Sequence, residues 1–253
     1  MIELTRVFKS YDASSRFAVD DVSLGVERGE FLCLIGESGC GKTTTLKMIN
    51  RLIELSSGEI SVAGKNIVDS DPVLLRRRIG YVFQGVGLFP HRSVEQNVVS
   101  VPMLLSWDSQ RINARCDVMF DMVGMSRQEY GNRSPNELSG GQQQRIGFAR
   151  ALAAEPEVLL MDEPFGALDP ITRADLQDEF KGIQKELQLS VIMVTHDMTE
   201  ALLMADRIAV MKDGKILQIG TPRELLNNPQ HSYVSEIVEM PKRRTERLEK
   251  LMH

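Results

Sequence analysis

The stretch "GESGCGKTTTLKMIN", residues 36–50, follows the apolar run Phe31-Leu32-Cys33-Leu34-Ile35. Glycines and a lysine therefore stand between a strand-like segment and a helix-like one, in which Leu46 and Ile49 recur at helical spacing. Gly36, Gly41, Lys42 and Thr43 occupy the defining places of the pattern G-x-x-x-x-G-K-S/T. Glycine lets backbone wrap closely around an anion, and the free amides at the next helix's start face that anion with a favourable dipole. The loop candidates are Gly36, Glu37, Ser38, Gly39, Cys40, Gly41, Lys42, Thr43 and Thr44. Lys42 reaches β- and γ-phosphates in such a loop, and the Thr43 hydroxyl ligates Mg²⁺. A turn that merely needs glycines is the plainer alternative. The strand before and the helix after favour a bound nucleoside triphosphate with Mg²⁺.

The totals narrow the class. The chain has 253 residues, 42% hydrophobic and 26% charged, an ordinary globular composition with room for a substantial core. A formal net charge of −5 argues against nucleic acid as the main partner, because phosphate backbones call for a basic face. No apolar run approaches the ~18–20 residues that span a bilayer. The opening "MIELTRVFKSYD" lacks the apolar core of a signal peptide, so a cytoplasmic protein is expected. Cys33, Cys40 and Cys116 have no metal-ligand spacing and imply no disulfide framework. Cys40, beside Lys42 and a helix start, is expected to favour its thiolate and to alkylate readily.

Further along, "IELTRVFKSY", "FAVDDVSLGVE" and Phe31–Ile35 read as strands, "GEISVAGKNI" as a hairpin, and "RIGYVFQ" as a strand ending at Gln84. Helical patterns then dominate to about residue 155. They are followed by a buried strand "EVLLMDE", an amphipathic helix "PITRADLQDEFKGIQKEL", a strand "SVIMVTH" and a hairpin over Asp213-Gly214. Thr221, Pro222 and Glu224 mark a capped helix. Strands alternating with helices predict an α/β fold with a mainly parallel sheet, joined by an antiparallel β part. The helical stretch at about 86–155 is too long for a loop and reads as an inserted subdomain of a domain over 1–236. Residues 237–253 read as a short basic tail, a solvated frayed helix.

Two further stretches carry chemistry. "VLLMDEP" buries Val158–Met161 and presents Asp162 and Glu163 at the strand's end, where open α/β folds bind ligands. Asp162 suits the Mg²⁺ water shell, and Glu163 suits the proton of an attacking water. In "PNELSGGQQQRIGFARAL", Ser139 N-caps a helix whose first amides Gly140 and Gly141 leave bare, a second anion site. Leu138-Ser139-Gly140-Gly141-Gln142 resembles the signature of the ATP-binding-cassette (ABC) ATPases, and that resemblance extends from Tyr11 to about Tyr233.

The resemblance implies roles for isolated residues. Tyr11 resembles the aromatic that stacks on adenine, although alone it reads as an ordinary strand aromatic. Gln84 resembles the glutamine that touches Mg²⁺ and links to the membrane partner. His196 resembles the switch histidine on the γ-phosphate, and Gly166-Ala167-Leu168-Asp169 the dimer-contact loop, with glycine where serine is usual. Asp169 also reads as the N-cap before Pro170, and Asp197 with Glu200 as the next helix's capping pair. The family implies a P-loop core, ATP with Mg²⁺, and a head-to-tail homodimer in which Ser139–Gln142 of one copy faces the phosphate loop of the other. Transmembrane permease subunits, and indirectly a solute-binding protein, are the implied partners, which place the chain peripherally at the cytoplasmic face of the membrane.

A P-loop kinase would need a lid and an acceptor pocket but no signature helix, and no guanine-reading motif of a GTPase is found. A soluble repair or translation cassette would carry a long coiled coil or a second cassette. "GVGLFPHRSVEQNV" and "GTPRELLNNPQHSYV" are similar to bacterial importer subunits. "NRLIELSSGEI", "DPVLLRRRIGYVFQGVGLFPH" and "DEPFGALDPITRADLQDE" are similar to importers of glycine betaine, carnitine or choline. A polar amino acid is the alternative cargo.

Overall fold

The computed structural model describes residues 1–11, 17–85 and 87–252, with side chains described through 243 and again at Glu246. Val86, inside the importer-like stretch, and His253, at the end of the basic tail, lie outside the described residues. The chain forms two compact units, one of residues 1–69 with 192–253 and one of residues 70–191.

The first unit begins with β1 (Ile2–Lys9), β2 (Val19–Val26), β3 (Phe31–Ile35), α1 (Lys42–Ile49), β4 (Ser57–Val62) and β5 (Lys65–Asn66). In β2, inward Val22, Leu24 and Val26 alternate with exposed Asp21, Ser23 and Gly25, the period-two pattern of a half-buried strand. It pairs antiparallel with β1, Ile2 facing Val26 and Leu4 facing Leu24, and the sheet order is β2-β1-β4-β5. All five residues of β3 are buried, as expected of a strand covered on both faces.

The second unit holds α2 (Pro72–Arg78), β6 (Ile79–Val82), α3 (Val94–Val98), α4 (Ser100–Leu104), α5 (Ser109–Met122), α6 (Arg127–Tyr130), α7 (Gly140–Leu152), β7 (Val158–Asp162) and α8 (Pro170–Leu187). Helix α2 was not expected, although Asp71 caps it by accepting the amides of Val73 and Leu74, with Pro72 at its first position. Strand β6 stops at Val82, two residues before the expected end: Gln84 lies in a turn with Gly85 at φ +77°. β6 and β7 pair in parallel, Ile79 on Val158 through Val82 on Met161. Gly80 permits close helix–strand packing, since a Cβ there would lie 2.7 Å from the Ala151 carbonyl oxygen of α7. Phe148 packs against Phe165 and Phe180, at 5.8 and 4.9 Å between ring centroids, in the core of this unit. Arg127 ties the helices together, donating to both Glu95 carboxylate oxygens (3.1 and 2.6 Å) and to Asp117 at 2.8 Å.

The chain returns to the first unit within β8 (Ser190–Thr195), followed by α9 (Met198–Met204), β9 (Arg207–Lys212), β10 (Lys215–Gly220), α10 (Pro222–Asn227) and α11 (Ser232–Met252). β3 and β9 run parallel, Leu32 on Arg207 through Ile35 on Val210. β9 and β10 form the expected hairpin, with Asp213 and Gly214 both at positive φ, as its tight two-residue turn requires. Thr221 and Glu224 form the expected capping box of α10. The basic tail continues α11 rather than leaving it: the helix runs to Met252, with Pro241 inside it.

Candidate nucleotide-binding site

In the first unit, buried β3 ends at Ile35 and α1 starts at Lys42, so the chain between them must turn within six residues. Two positions admit only glycine. A Cβ at Gly36 would lie 2.2 Å from the Met211 carbonyl oxygen, and one at Gly41, at φ +107°, would lie 2.3 Å from that of Ala18. Lys42 is 5% exposed, and its ammonium donates to the carbonyls of Gly36 (2.7 Å) and Glu37 (2.8 Å). These contacts curl the loop around the lysine at the start of α1, a helix N-terminus whose first turn has no intrahelical acceptors for its amides, a cradle that fits a phosphate chain. The Tyr11 side chain is 60% exposed, and its hydroxyl lies 3.4 Å from Thr44 Oγ1, so the aromatic stands beside the loop. Thr43 and Thr44 are half-buried; Ser38 and Gly39 are exposed. His196, one residue beyond β8, is exposed and shares a cavity of about 360 Å³ with Gly36 and Glu37.

Cys40 departs from expectation. It is buried, and burial pushes its thiol up by more than the neighbouring Lys42 charge pulls it down. Desolvation disfavours the thiolate, so the neutral thiol is favoured here. Its sulfur is 3.8 Å from the Lys42 ammonium. Tyr233 was missed altogether. Its hydroxyl accepts the Glu37 amide at 3.1 Å across 196 residues of chain, and no local pattern marks such a contact.

In the second unit, Asp162 ends β7 and is buried. Burial first, and the Asp162 charge second, push the nearby Tyr81 hydroxyl far above its usual range. Glu163 follows at φ +46°, a left-handed backbone that non-glycine residues adopt only at a cost. This turn aims its half-buried carboxylate at Gln84, whose Nε2 donates to Oε2 at 3.2 Å. Two site residues 79 positions apart are thereby joined. Asp162 and Gln84, like Thr43 of the first unit, offer the hard oxygen donors that Mg²⁺ takes alongside phosphate oxygens. Among the described residues no cluster of three or more His, Cys, Asp or Glu side chains forms a metal cage.

The second helix start is built as expected. Ser139 Oγ accepts the Gln142 amide at 3.3 Å while the Gln142 side chain accepts the Ser139 amide at 2.9 Å, a capping box opening α7. That leaves the amides of Gly140 and Gly141, in a first turn that has no intrahelical acceptor. A Cβ at Gly140 would meet nothing within 4 Å, whereas one at Gly141 would lie 2.6 Å from Thr172 Cγ2. Asp169 caps α8 through the amides of Ile171 and Thr172, and the Thr172 bonds hold its carboxyl below the usual range. Asp197 caps α9 by accepting the Thr199 amide, and buried Glu200 accepts the Thr195 hydroxyl at 2.5 Å.

Residues 19–166 match the family model described as ABC transporter. The chain is 56% identical over 238 residues to the choline transport ATP-binding protein OpuBA of Bacillus subtilis, covering 94% of this chain but 62% of that protein. It thus spans about three-fifths of that relative's length. The glycine betaine uptake system ATP-binding protein YehX of Escherichia coli is 49% identical over 236 residues, which cover 93% of this chain and 76% of that one. A solved ATP-binding cassette, in a dimeric post-hydrolysis state bound to ADP and Pi, superimposes with a TM-score of 0.78 at 33% identity, covering 88% of this chain and 99% of that chain. The chain belongs to the ABC transporter family and has the fold of its ATP-binding cassettes.

Proposed function

We propose that this chain is the ATP-hydrolysing subunit of an ABC importer, that two copies act head to tail, and that the cargo is a quaternary-amine osmoprotectant. The observation that carries the enzymatic part is the Gln84–Glu163 contact. It orients a carboxylate beside Asp162 by a backbone turn that costs stability, as is common where geometry serves chemistry. Tyr11 stacks on the base, and Lys42 with the loop amides offsets the phosphate charge. Thr43, Gln84 and Asp162 would hold Mg²⁺, which supplies charge stabilisation on the phosphate oxygens. Glu163 accepts a proton from water as the water oxygen bonds to the γ-phosphorus and the bond to the ADP oxygen breaks. His196 contacts the γ-phosphate. The Ser139–Gln142 helix start of the second copy closes over the same phosphate, so each copy supplies what the other lacks.

The cargo assignment is supported by the relatives named for choline and glycine betaine and by the stretches "NRLIELSSGEI" and "DEPFGALDPITRADLQDE". No described helix is long and apolar enough to cross a membrane. The relatives named as transport ATP-binding proteins support attachment at the cytoplasmic face by permease subunits, with a solute-binding protein delivering cargo. The test is reconstitution with a permease in vesicles. ATP-dependent uptake of labelled glycine betaine or choline is expected, lost in Lys42→Ala. Uptake of a polar amino acid instead would overturn the cargo, and no ATP hydrolysis at all would overturn the enzyme.

A further inference from the structure

We infer that Tyr233, the second residue of α11, is a positioning residue for the phosphate loop, so that the C-terminal helix sets how tightly the loop holds a nucleotide. This rests on the nucleotide reading above. The peptide unit joining Gly36 to Glu37 is held at both ends: its carbonyl accepts the Lys42 ammonium at 2.7 Å, and its N–H donates to the Tyr233 hydroxyl at 3.1 Å. A peptide unit is planar and rigid, so fixing the N–H direction fixes the carbonyl from which Lys42 is aimed. The next carbonyl, that of Glu37, accepts the same ammonium at 2.8 Å. Two of the three ammonium donors are committed to this turn, and the Cys40 sulfur at 3.8 Å is a weak acceptor, so one donor remains to engage a phosphate.

Tyr233 is itself well placed to hold the turn. It is 6% exposed, the Lys212 ammonium lies 4.5 Å from its ring centroid, and its own amide donates to His231 Nδ1 at 3.1 Å. Burial foremost, with the Glu37 charge also contributing, pushes its hydroxyl up to about 12, so it remains a neutral hydrogen-bonding group at physiological pH. The cavity of about 360 Å³ opens beside this contact, with Gly36, Glu37 and His196 on its wall together with Ile237 and Met240 of α11. The helix therefore engages the loop through the hydroxyl at its first turn, and a displacement of α11 is relayed to Lys42 through one peptide.

Tyr233→Phe in the full chain removes the hydroxyl and keeps the ring. Exchange of the Glu37 amide, followed by NMR without nucleotide, should accelerate. The Kd for ATP should rise roughly 3- to 10-fold, the range of a single hydrogen bond. KM should rise with it, while kcat at saturating ATP stays unchanged, since the residue touches neither water nor phosphate; a merely structural role would not split the two. Lys212→Met, which spares the hydroxyl, should leave the Kd near the wild-type value. Unchanged Glu37 exchange, unchanged affinity in Tyr233→Phe, or equal weakening in both variants would overturn the inference. A wild-type chain that does not bind ATP would overturn the nucleotide reading and this inference together, whereas a wild type that binds beside an unaffected Tyr233→Phe overturns the inference alone.

Discussion

Glu163 offers a test in which catalysis and stability move apart. In Glu163→Gln the backbone keeps φ +46° and the amide oxygen can still accept from Gln84 Nε2, so folding and ATP binding should be preserved. What is lost is a group that takes a proton, and phosphate release should slow by about 10²–10⁴. That is a barrier increase of about 3–5 kcal/mol. Glu163→Gly sharpens the case. Relief of the left-handed strain returns about 1–2 kcal/mol. Against this stand the greater backbone entropy of glycine, about 0.5–1 kcal/mol, and the lost Gln84 hydrogen bond, about 0.5–1.5 kcal/mol. The contributions largely offset, leaving between about +1 and about −1.5 kcal/mol, so the melting temperature should move by no more than about 6 °C. Calorimetry, a phosphate-release assay and light scattering with ATP test all of this on the same samples. Both variants should be folded and slow, and Glu163→Gln should persist as a dimer with ATP. Full activity in Glu163→Gln would refute the proton-acceptor role; a loss of several kcal/mol in Glu163→Gly would refute the strain argument; a slow variant that stays monomeric with ATP would refute the shared site.

Gly41→Ala should abolish ATP binding measured by titration and lower the melting temperature, because its Cβ would meet the Ala18 carbonyl oxygen at 2.3 Å in a left-handed backbone. Tyr11→Ala should weaken ATP and GTP alike, by about 1–3 kcal/mol of stacking; unchanged affinity would remove Tyr11 from the site. Gln84 resembles the glutamine that links to the membrane partner, and the stretch from Gln84 to Pro90 is the expected seat of a permease helix, with Phe89 as its anchor. Phe89 is 42% exposed, and its backbone is pinned by Asn97 at 2.7 and 3.1 Å, so Phe89→Asp should fold normally yet fail to co-purify with a permease. Cys116 has its thiol pushed by burial from 9.0 to about 12, and the folded state therefore holds that proton more firmly than the unfolded chain. The stability this contributes is complete below pH 9.0 and is lost as pH rises toward 12, so the wild-type denaturation midpoint should fall more steeply across that window than that of Cys116→Ala.

The amino-acid sequence alone determined whatever is encoded over short stretches of chain. The phosphate loop is legible because its contacts close within six residues, Lys42 onto Gly36 and Glu37, and because apolar runs on either side name a strand and a helix. The caps at Ser139, Asp169 and Thr221 are legible for the same reason: each side chain binds an amide two or three residues away. Tertiary structure decided the rest. Gln84 and Glu163 are two unrelated polar residues until β6 and β7 pair in parallel and a left-handed turn points one at the other. Cys40 has the neighbours of a reactive thiolate, but burial, which no neighbour list contains, outweighs them. Tyr233 carries no mark in its own segment, because its partner is a backbone amide 196 residues away and any hydroxyl delivered there by packing would serve. Local chemistry follows from residue order, whereas desolvation and long-range contacts exist only once the chain has closed on itself.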